Sequence, residues 1–558
     1  MESYNAVNGK FMTRHEELLQ KILKDKIGFP GFIMSDWWAI NTDSYENFAN
    51  GLDMNMPGGP GWTAEPTGKD GSSWAKIPEW IQSNLITEDR VNDAARRIIA
   101  AMYRVNLLSD RTLTDADLYP KYVDLNRISV LANAEGVLSE NKGLNREVGQ
   151  ESIVLLENKD NFLPLANNKN ANPTFSSLKI FGNSAEESVC LNKTENSSDC
   201  VCIGTTVNPD DNRYFKGYVG LGWGSGTTSF QYQVAPVDAI KAKAESLNKT
   251  VTSSTGLTGE WNNLKEVIPT AATECSDLNI VFIAANSGEE YLITEGLKGD
   301  RTTLDAWHGG NDLVDAVLNL CNNVVLVILG PATVNIKSEW RSNSKLKAIL
   351  FGGMLGAEGG NAITDVLFGE VVPSGHLTFV WAPVESYPSV EKITPTKTDG
   401  DYSIIEVDYN YDEGLFVGQR YVEKYSKSFD YPFGYGLSYT TFEIGDPTLT
   451  MKENGLTVKF DVKNTGKYDG KVVPMVFLGI PVPDPSNYPS KVFKGFDKKL
   501  IKSGESASFE IFIDDHDLSY YDTTKEDFVR PTTGTYTVYV GQDAKSENLK
   551  SKTISAKY

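Results

Sequence analysis

Asp36 ends a short apolar run, Phe32-Ile-Met-Ser-Asp36, and is followed at once by Trp37 and Trp38. A carboxylate beside indole platforms matches what a sugar site needs. The apolar faces of a pyranose stack on aromatic rings, and a charged oxygen stabilises an oxocarbenium-like centre. Position alone leaves a second reading open, a cap or a salt-bridged strand end, as most strand-end carboxylates are. Other chemistries find less support. Of the four histidines (His15, His308, His376, His516), none has a second His or Cys ligand two to five residues away, so no metal is expected. Cys200-Val-Cys202 lacks Cys-x-x-Cys spacing. No Gly-x-Ser-x-Gly elbow occurs, because Trp223 stands two positions before Ser225. There is no Walker A loop, and Gly222-Trp-Gly-Ser-Gly226 lacks the spacing of a dinucleotide loop; a tight turn and a binding loop both fit it.

The elements that must position Asp36 alternate between strand and helix. Met12 to Lys26 has helical spacing, with Leu18, Leu19, Ile22 and Leu23 on one face, and Gly28-Phe-Pro-Gly31 stops it. Phe32–Asp36 reads as a buried strand, Tyr45–Ala49 as a helical turn and Leu52–Met56 as a second strand. Thr87 is the expected N-cap of a helix reaching about Val105, with Val91, Ala94, Ala95, Ile98, Ile99 and Met102 as its apolar face. Arg96, Arg97 and Arg104 lie toward its C-terminal half, where the dipole favours cations. Repeated βα units imply a parallel sheet or barrel, with catalytic groups at the carboxyl ends of the strands.

Farther along, the runs at 178–182, 278–284, 324–329 and 346–351 are near-continuously apolar, as in parallel strands covered on both faces. From Tyr439 the pattern becomes period-2 strands at 456–462, 471–478, 507–513 and 534–540, an antiparallel β-sandwich. Tyr520, Tyr521, Tyr536 and Tyr539 read as core or surface tyrosines of that sandwich, with no aromatic row at sugar spacing.

Composition bounds the partners. The chain has 558 residues, 40% of them apolar, and a net charge of −21. No basic stripe is present, so neither nucleic acid nor an anionic membrane surface is an expected partner. No apolar run approaches the ~18–20 residues needed to span a bilayer. Residues 1–10 carry no basic or apolar leader region, so no signal peptide is read in this chain. Three of the five cysteines (Cys190, Cys200, Cys202) crowd a Ser/Asn-rich stretch that also holds the sequons at Asn192 and Asn196; a third sequon lies at Asn248. That grouping fits a secreted loop with one disulfide.

The sequence as a whole resembles glycoside hydrolase family 3 β-glucosidases. Met1-Glu-Ser-Tyr4-Asn-Ala-Val-Asn8 is similar to that family's Ser-Tyr-Asn segment, and Gly28-Phe-Pro-Gly-Phe-Ile-Met-Ser-Asp36-Trp37-Trp38-Ala39 to its nucleophile motif. Ala49-Asn-Gly-Leu-Asp-Met-Asn-Met-Pro-Gly58 is similar to the strand that follows. Glu151 to Asn158, Leu163-Pro-Leu165, Gly222 to Thr227 and Asn286-Ser-Gly-Glu289 resemble parts of its second domain, and Tyr431 to Tyr439 the lead into its last. The implied fold class is α/β multidomain. The C-terminal part of a (β/α)8 barrel would occupy 1–105, a linker 106–145 and an α/β sandwich 146–382. A connecting segment would follow over 383–438, and a fibronectin type III-like domain over 439–558.

The resemblance further implies a retaining two-carboxylate mechanism. Asp36 would be the nucleophile and Glu289 the acid/base, with Glu290 its main rival and the two carboxyls about 5–5.5 Å apart. Trp37 would stack on the sugar, and Met1, Tyr4 and Ser225 would line the glucose pocket. The implied substrates are cellobiose, cello-oligosaccharides and aryl β-glucosides. No cofactor or metal is implied, and a secreted location is expected for the full-length form. β-Xylosidase and β-N-acetylglucosaminidase activities are alternatives within the family, and a non-catalytic carbohydrate-binding protein is the alternative outside enzymes. Family members carry most of their barrel, about 250 residues in typical form, ahead of the Ser-Tyr-Asn segment. That part supplies a Lys-His pair, an Arg and an Asp that hold the glucose hydroxyls, and these groups do not stand in this sequence. The expectation is little glucosidase activity from this chain alone.

A barrel without its early strands leaves unpaired edges and an exposed apolar face. Limited proteolysis is therefore expected to cut residues 1–105 before 146–381. Equal resistance of the two regions would contradict it.

Overall fold

The computed structural model describes residues 1–37, 39–40, 44–56, 74, 76–105, 135–165, 174–187, 217–222, 232–255, 267–288, 293–294, 297–298, 301, 303–388, 394–397 and 406–557. They belong to two compact units, Met1–Ala132 and Asn133–Tyr558.

In the first unit three short parallel segments lie side by side. Glu2 bridges Ser35, and Met34 bridges Met54, both in parallel sense. The Asp36 amide donates to the Glu2 carbonyl at 3.1 Å and the Ser35 amide to Met54 at 2.9 Å. Asp36 thus leaves the carboxyl end of the central segment, as the βα pattern requires. The preceding helix covers Glu17–Lys26 rather than starting at Met12, because His15 takes a ψ of 84°, outside the helical range. Its turns are wide: the Ile27 amide reaches back five residues to Ile22 at 2.9 Å. Gly28 terminates it at φ +72°, a left-handed conformation that costs glycine little. Tyr45–Ala49 is capped by Ser44, and Glu88–Arg104 by Thr87, whose hydroxyl accepts from the Arg90 amide at 3.2 Å. The expected apolar face of that long helix is corrected. Among its members only Ala94 is buried, while Ile99 and Met102 are exposed. The Arg97 guanidinium is not a dipole charge in solvent but donates to the carbonyls of Phe29 and Gly31.

The second unit contains a six-stranded sheet. In spatial order its strands are Val154–Asn158, Leu346–Gly353, Val324–Leu329, Leu278–Ala284, Ser177–Phe181 and Thr250–Ser254. All neighbours run parallel except the first pair. Continuous apolar runs form these strands because both faces are covered. Ile180, Ile280, Phe282, Val327 and Leu350 point to the side closed by Pro236–Ser246 and Gly359–Leu367. Phe181, Val281, Ile283, Leu326 and Ile349 point to the side closed by Gly310–Leu320, Trp340 and Trp381. Thr250–Ser254 escapes the apolar-run criterion because it is a polar edge strand. Gly182 must be glycine, since a Cβ there would lie 2.0 Å from the Phe282 carbonyl oxygen.

The Tyr431–Tyr439 motif straps this sheet unit to the sandwich that follows. Its backbone pairs with Trp381 and Leu377. Two of its tyrosines reach into the sheet, Tyr431 to Glu157 and Tyr435 to the Leu156 carbonyl, and Tyr439 donates to the Val366 carbonyl of the covering helix Gly359–Leu367. In the sandwich, Gly455–Asn464 pairs with Ser506–Asp514, and Met475–Gly479 with Thr535–Gly541. Val458, Phe460, Val476, Phe509 and Val538 close the core. The expected strand 471–478 is two pieces, Gly470–Val472 and Met475–Gly479, broken at Pro474, which has no amide to donate. Tyr536 is fully buried, with its hydroxyl on the Leu518 carbonyl.

A disulfide not foreseen from the sequence joins Cys275, ahead of Leu278–Ala284, to Cys321 at the end of Gly310–Leu320. Cys190, Cys200 and Cys202 lie outside the described residues. A bond spanning 46 residues restricts the unfolded chain considerably. Replacing both cysteines by serine is expected to lower stability by about 2–4 kcal/mol, read as a lower urea midpoint at constant m-value. An unchanged midpoint would contradict this.

Candidate active site

Asp36 is half-buried, and one carboxylate oxygen accepts from the Trp37 amide at 2.7 Å. This contact orients the carboxylate. The Tyr4 hydroxyl donates to the Trp37 carbonyl at 2.6 Å, tying the Ser-Tyr-Asn segment to the residue after Asp36. Trp37 is 40% exposed and Tyr4 56%, and an exposed indole is a surface on which a flat apolar face can stack. Met1 adjoins them on the same segment and is exposed. Four of the expected site residues, Met1, Tyr4, Asp36 and Trp37, are thus brought onto adjacent segments. Ser225, Glu289 and Glu290 lie outside the described residues, as does Trp38.

The support beneath Asp36 is ionic and was not read from the sequence. Lys24 donates to Asp53 at 2.6 Å, and neither side chain is solvent-accessible. Arg90 meets the same carboxylate oxygen at 2.8 Å, while the other oxygen accepts from the Ile33 amide at 2.8 Å. Arg90 also holds the carbonyls of Phe48 and Leu52. Asp93 joins Arg97 through both of its oxygens at 3.0 Å. Burial lowers the pKa of the Lys24 ammonium, and the Asp53 hydrogen bond opposes that effect. A signal was present: Arg90, Asp93 and Arg97 fall at i, i+3 and i+7, one face of a helix.

Glu2 was also missed. It is only 5% exposed, and no side chain among the described residues hydrogen-bonds its carboxylate. Burial raises its pKa from 4.5 to about 7; the Asp36 amide and the N-terminal ammonium oppose this, and the Asp36 charge adds to it.

In the second unit the chain passes from Ser177–Phe181 to the strand on one side, then to Leu278–Ala284 on the other. The carboxyl ends of this pair form a topological switch point, where open α/β sheets bind ligands. The bases of two expected loops meet there. Asn286, fully buried, donates to the Leu221 carbonyl at 3.2 Å and accepts from the Ser287 amide at 2.9 Å. A Cβ on Gly222 would lie 3.3 Å from the Ser287 carbonyl oxygen, so the loops leading to Ser225 and Glu289 start in close contact.

Comparison with known proteins gives three family matches. Residues 1–101 match the glycosyl hydrolase family 3 N terminal domain, 153–439 the glycosyl hydrolase family 3 C-terminal domain, and 472–544 a fibronectin type III-like domain. The chain is 32% identical over 576 residues to the beta-glucosidase cel3A of Pyricularia oryzae, covering 99% of this chain and 70% of that protein. It is 30% identical to the beta-D-glucoside glucohydrolase of Trichoderma reesei, with a TM-score of 0.76 over 99% of this chain and 72% of the other. A beta-glucosidase from Chaetomella raphigera is 29% identical, also with a TM-score of 0.76 and covering 99% and 72%.

The Glu2 carboxyl provides a pH test. Between about pH 4.5 and about pH 7 the unfolded residue has lost its proton while the folded one keeps it. The unfolded state then binds fewer protons, so stability falls as the pH rises through this window. Hydrogen-exchange protection of the Ser35 and Asp36 amides is expected to decline across it, and Glu2→Gln to remove the decline. The same decline in Glu2→Gln would contradict the assignment.

Proposed function

This chain belongs to glycosyl hydrolase family 3, and we propose that it carries the machinery of a retaining β-glucosidase acting on terminal non-reducing β-D-glucosyl residues of cellobiose, cello-oligosaccharides and aryl glucosides. The observation that carries this reading is Asp36 at the carboxyl end of the central parallel segment, oriented by the Trp37 amide with the Trp37 and Tyr4 rings exposed beside it. An oriented, half-exposed carboxylate next to stacking rings can attack an anomeric carbon and carry the glycosyl ester that results.

In the first step a carboxylate oxygen of Asp36 bonds to the anomeric carbon as the glycosidic C–O bond breaks, and the acid, Glu289, protonates the leaving oxygen. In the second step Glu289 takes a proton from water, whose oxygen replaces Asp36 and releases the sugar with its configuration retained. Trp37 stacks on the sugar, and Met1, Tyr4 and Ser225 line its pocket. Glu290 stands next to Glu289 as the rival acid.

The matched region spans 70% of the cel3A relative. The Lys-His pair and the Arg and Asp that hold glucose in the family are not among these 558 residues. A polypeptide of this sequence alone is therefore proposed to turn over far more slowly than the ~1–1000 per second typical of enzymes, for want of groups that fix a near-attack geometry. Secretion is also proposed. It is supported by the Cys275–Cys321 disulfide and by the exposed turn that carries the Asn248 sequon.

The test uses Glu289→Ala with azide. Loss of the acid should slow hydrolysis of a poorly activated β-glucoside by about 10²–10⁴-fold. A dinitrophenyl β-glucoside, which needs little protonation, should react with azide to give the β-configured glucosyl azide. Glu290→Ala should match the parent. A full-rate Glu289→Ala would refute Glu289 as the acid, an α-configured azide or full rates in both Glu289→Ala and Glu290→Ala would refute the mechanism, and an unmodified chain working at ordinary enzyme rates would refute the low-turnover reading.

A further inference from the structure

The six-stranded sheet ends on the polar strand Thr250–Ser254. On one side this strand pairs with Ser177–Phe181, in parallel register from Ser177 opposite Thr250 to Phe181 opposite Ser254. Among the described residues no strand pairs with its other side. The Thr250 amide donates inward to the Ser176 carbonyl at 3.0 Å, and the Ser254 carbonyl accepts inward from the Gly182 amide at 3.1 Å. Successive peptide groups of a strand point to alternate sides, so the amides and carbonyls of Val251 and Ser253 face away from the sheet. Lys179 approaches the Ser253 carbonyl at 3.5 Å, and among the described residues no hydrogen bond reaches the outward groups of Val251. Such an edge is a template for pairing with another chain, and proteins blunt it with charges, proline, bulges or a covering element. Thr250-Val-Thr-Ser-Ser254 has neither a charge nor a proline, and Val and Thr favour strands.

The sequon Asn248-Lys-Thr250 stands at the entry to this strand. The helix Pro236–Ser246 ends in a turn in which the Asn248 amide donates to the Glu245 carbonyl at 2.9 Å and the Lys249 amide to the Ala244 carbonyl at 3.0 Å. Asn248 takes φ +58°, a left-handed conformation that asparagine tolerates after a helix. Asn248 and Thr250 are both exposed, and among the described residues neither side chain makes a hydrogen bond. The fold thus has no use of its own for the Asn248 carboxamide. The turn lies at the amino end of the strand, whereas the switch point lies at the carboxyl ends of Ser177–Phe181 and Leu278–Ala284. The five residues of Thr250–Ser254, at about 3.3 Å each, separate those two ends. A bulky group on Asn248 therefore stands at the open edge and away from the switch point.

We propose that Asn248 is an N-glycosylation site and that its glycan covers the open edge of Thr250–Ser254 against pairing with a second copy of the chain. In the transfer, Asn248 Nδ2 bonds to the anomeric carbon of an oligosaccharide as that carbon's bond to a lipid-linked pyrophosphate breaks. The pyrophosphate departs with the bonding pair, and Nδ2 gives up one proton to solvent. The attached glycan is bulky and solubilising, and it offers no peptide groups for a ladder. The site rests on the reading that the protein is secreted; it adds which residue is modified and what the modification does.

The experiment expresses the full chain behind an added, cleavable secretory leader in yeast. Chain recovered with the leader removed is digested with peptide N-glycosidase in heavy-oxygen water and mapped by mass spectrometry. Asn248 should appear as heavy-oxygen aspartate. Thr250→Ser should keep that label, and Asn248→Gly, which suits the left-handed turn, should lose it. Light scattering over a concentration series should show Asn248→Gly self-associating at lower concentration than the parent. Adding an edge lysine to that variant, Thr252→Lys, should shift association back to the parent's range. An unmodified Asn248 in leader-cleaved chain would overturn the site. Equal association of Asn248→Gly and the parent, or no shift on adding Thr252→Lys, would overturn the covering role. Because the leader is supplied, these outcomes are separate from native secretion, which fails instead if the protein is absent from the medium of the cells that make it. The label is read on the unaltered chain, so an unstable variant does not remove the test.

Discussion

Asp53 is a carboxylate taken entirely out of water, and two helices of the first unit and the segment that ends in Asp36 meet on it. Lys24 reaches it from the helix Glu17–Lys26, Arg90 from the helix Glu88–Arg104, and the Ile33 amide from the segment that ends in Asp36. Two cations and an amide satisfy one anion, so the cluster has little tolerance for loss of a member. Removing one partner of a buried pair costs about 3–5 kcal/mol, because the remaining charge stays buried alone. The consequence for function is geometric. The segment carrying Asp36 is held three residues before it by this carboxylate and clamped at Phe29 and Gly31 by Arg97. A carboxylate proposed as nucleophile, at the end of so anchored a segment, keeps its direction, and positioning is a large part of what such a site must supply.

Much of the fold was legible because burial writes directly into the sequence. The strands Leu278–Ala284 and Val324–Leu329 are covered on both faces and are therefore continuously apolar. The sandwich strand Ser506–Asp514 alternates buried and exposed residues along its length, and the period-2 pattern followed. What escaped had physical causes. The apolar stripe of Glu88–Arg104 predicted a buried face, but much of that helix's attachment is polar, through Arg90, Asp93 and Arg97. Lys24 stands in a run with Lys21, Asp25 and Lys26 that reads as a solvated helix end, and gave no sign that its charge was buried. The Cys275–Cys321 bond joins positions distant in sequence and adjacent only through the sheet, whereas proximity in sequence had drawn attention to Cys190, Cys200 and Cys202.

The candidate site was legible in part, and the parts differ in kind. Asp36, Trp37 and Tyr4 stand in contiguous motifs, and the hydrogen bond from Tyr4 to the Trp37 carbonyl joins those motifs in space. Glu2 carried no motif signal. Its significance comes from a parallel bridge to Ser35 that only the folded chain creates. In the second unit the sheet order places Gly222 and Asn286, the described bases of two expected loops, at the switch point. The glycine-rich stretch that fits a tight turn as well as a binding loop thereby starts, at Gly222, from a location suited to ligands.

The account's central claim is that Asp36 forms the bond to sugar. It is tested most directly by long incubation with 2-deoxy-2-fluoro-β-D-glucosyl fluoride, followed by digestion and mass spectrometry. The fluorine beside the anomeric carbon slows both formation and hydrolysis of the ester, while the reactive fluoride leaving group speeds formation alone, so even a sluggish chain accumulates it. The prediction is a single fluoroglucosyl adduct on the peptide containing Asp36, absent from Asp36→Asn. An adduct on another carboxylate, or no adduct at saturating reagent, would contradict it.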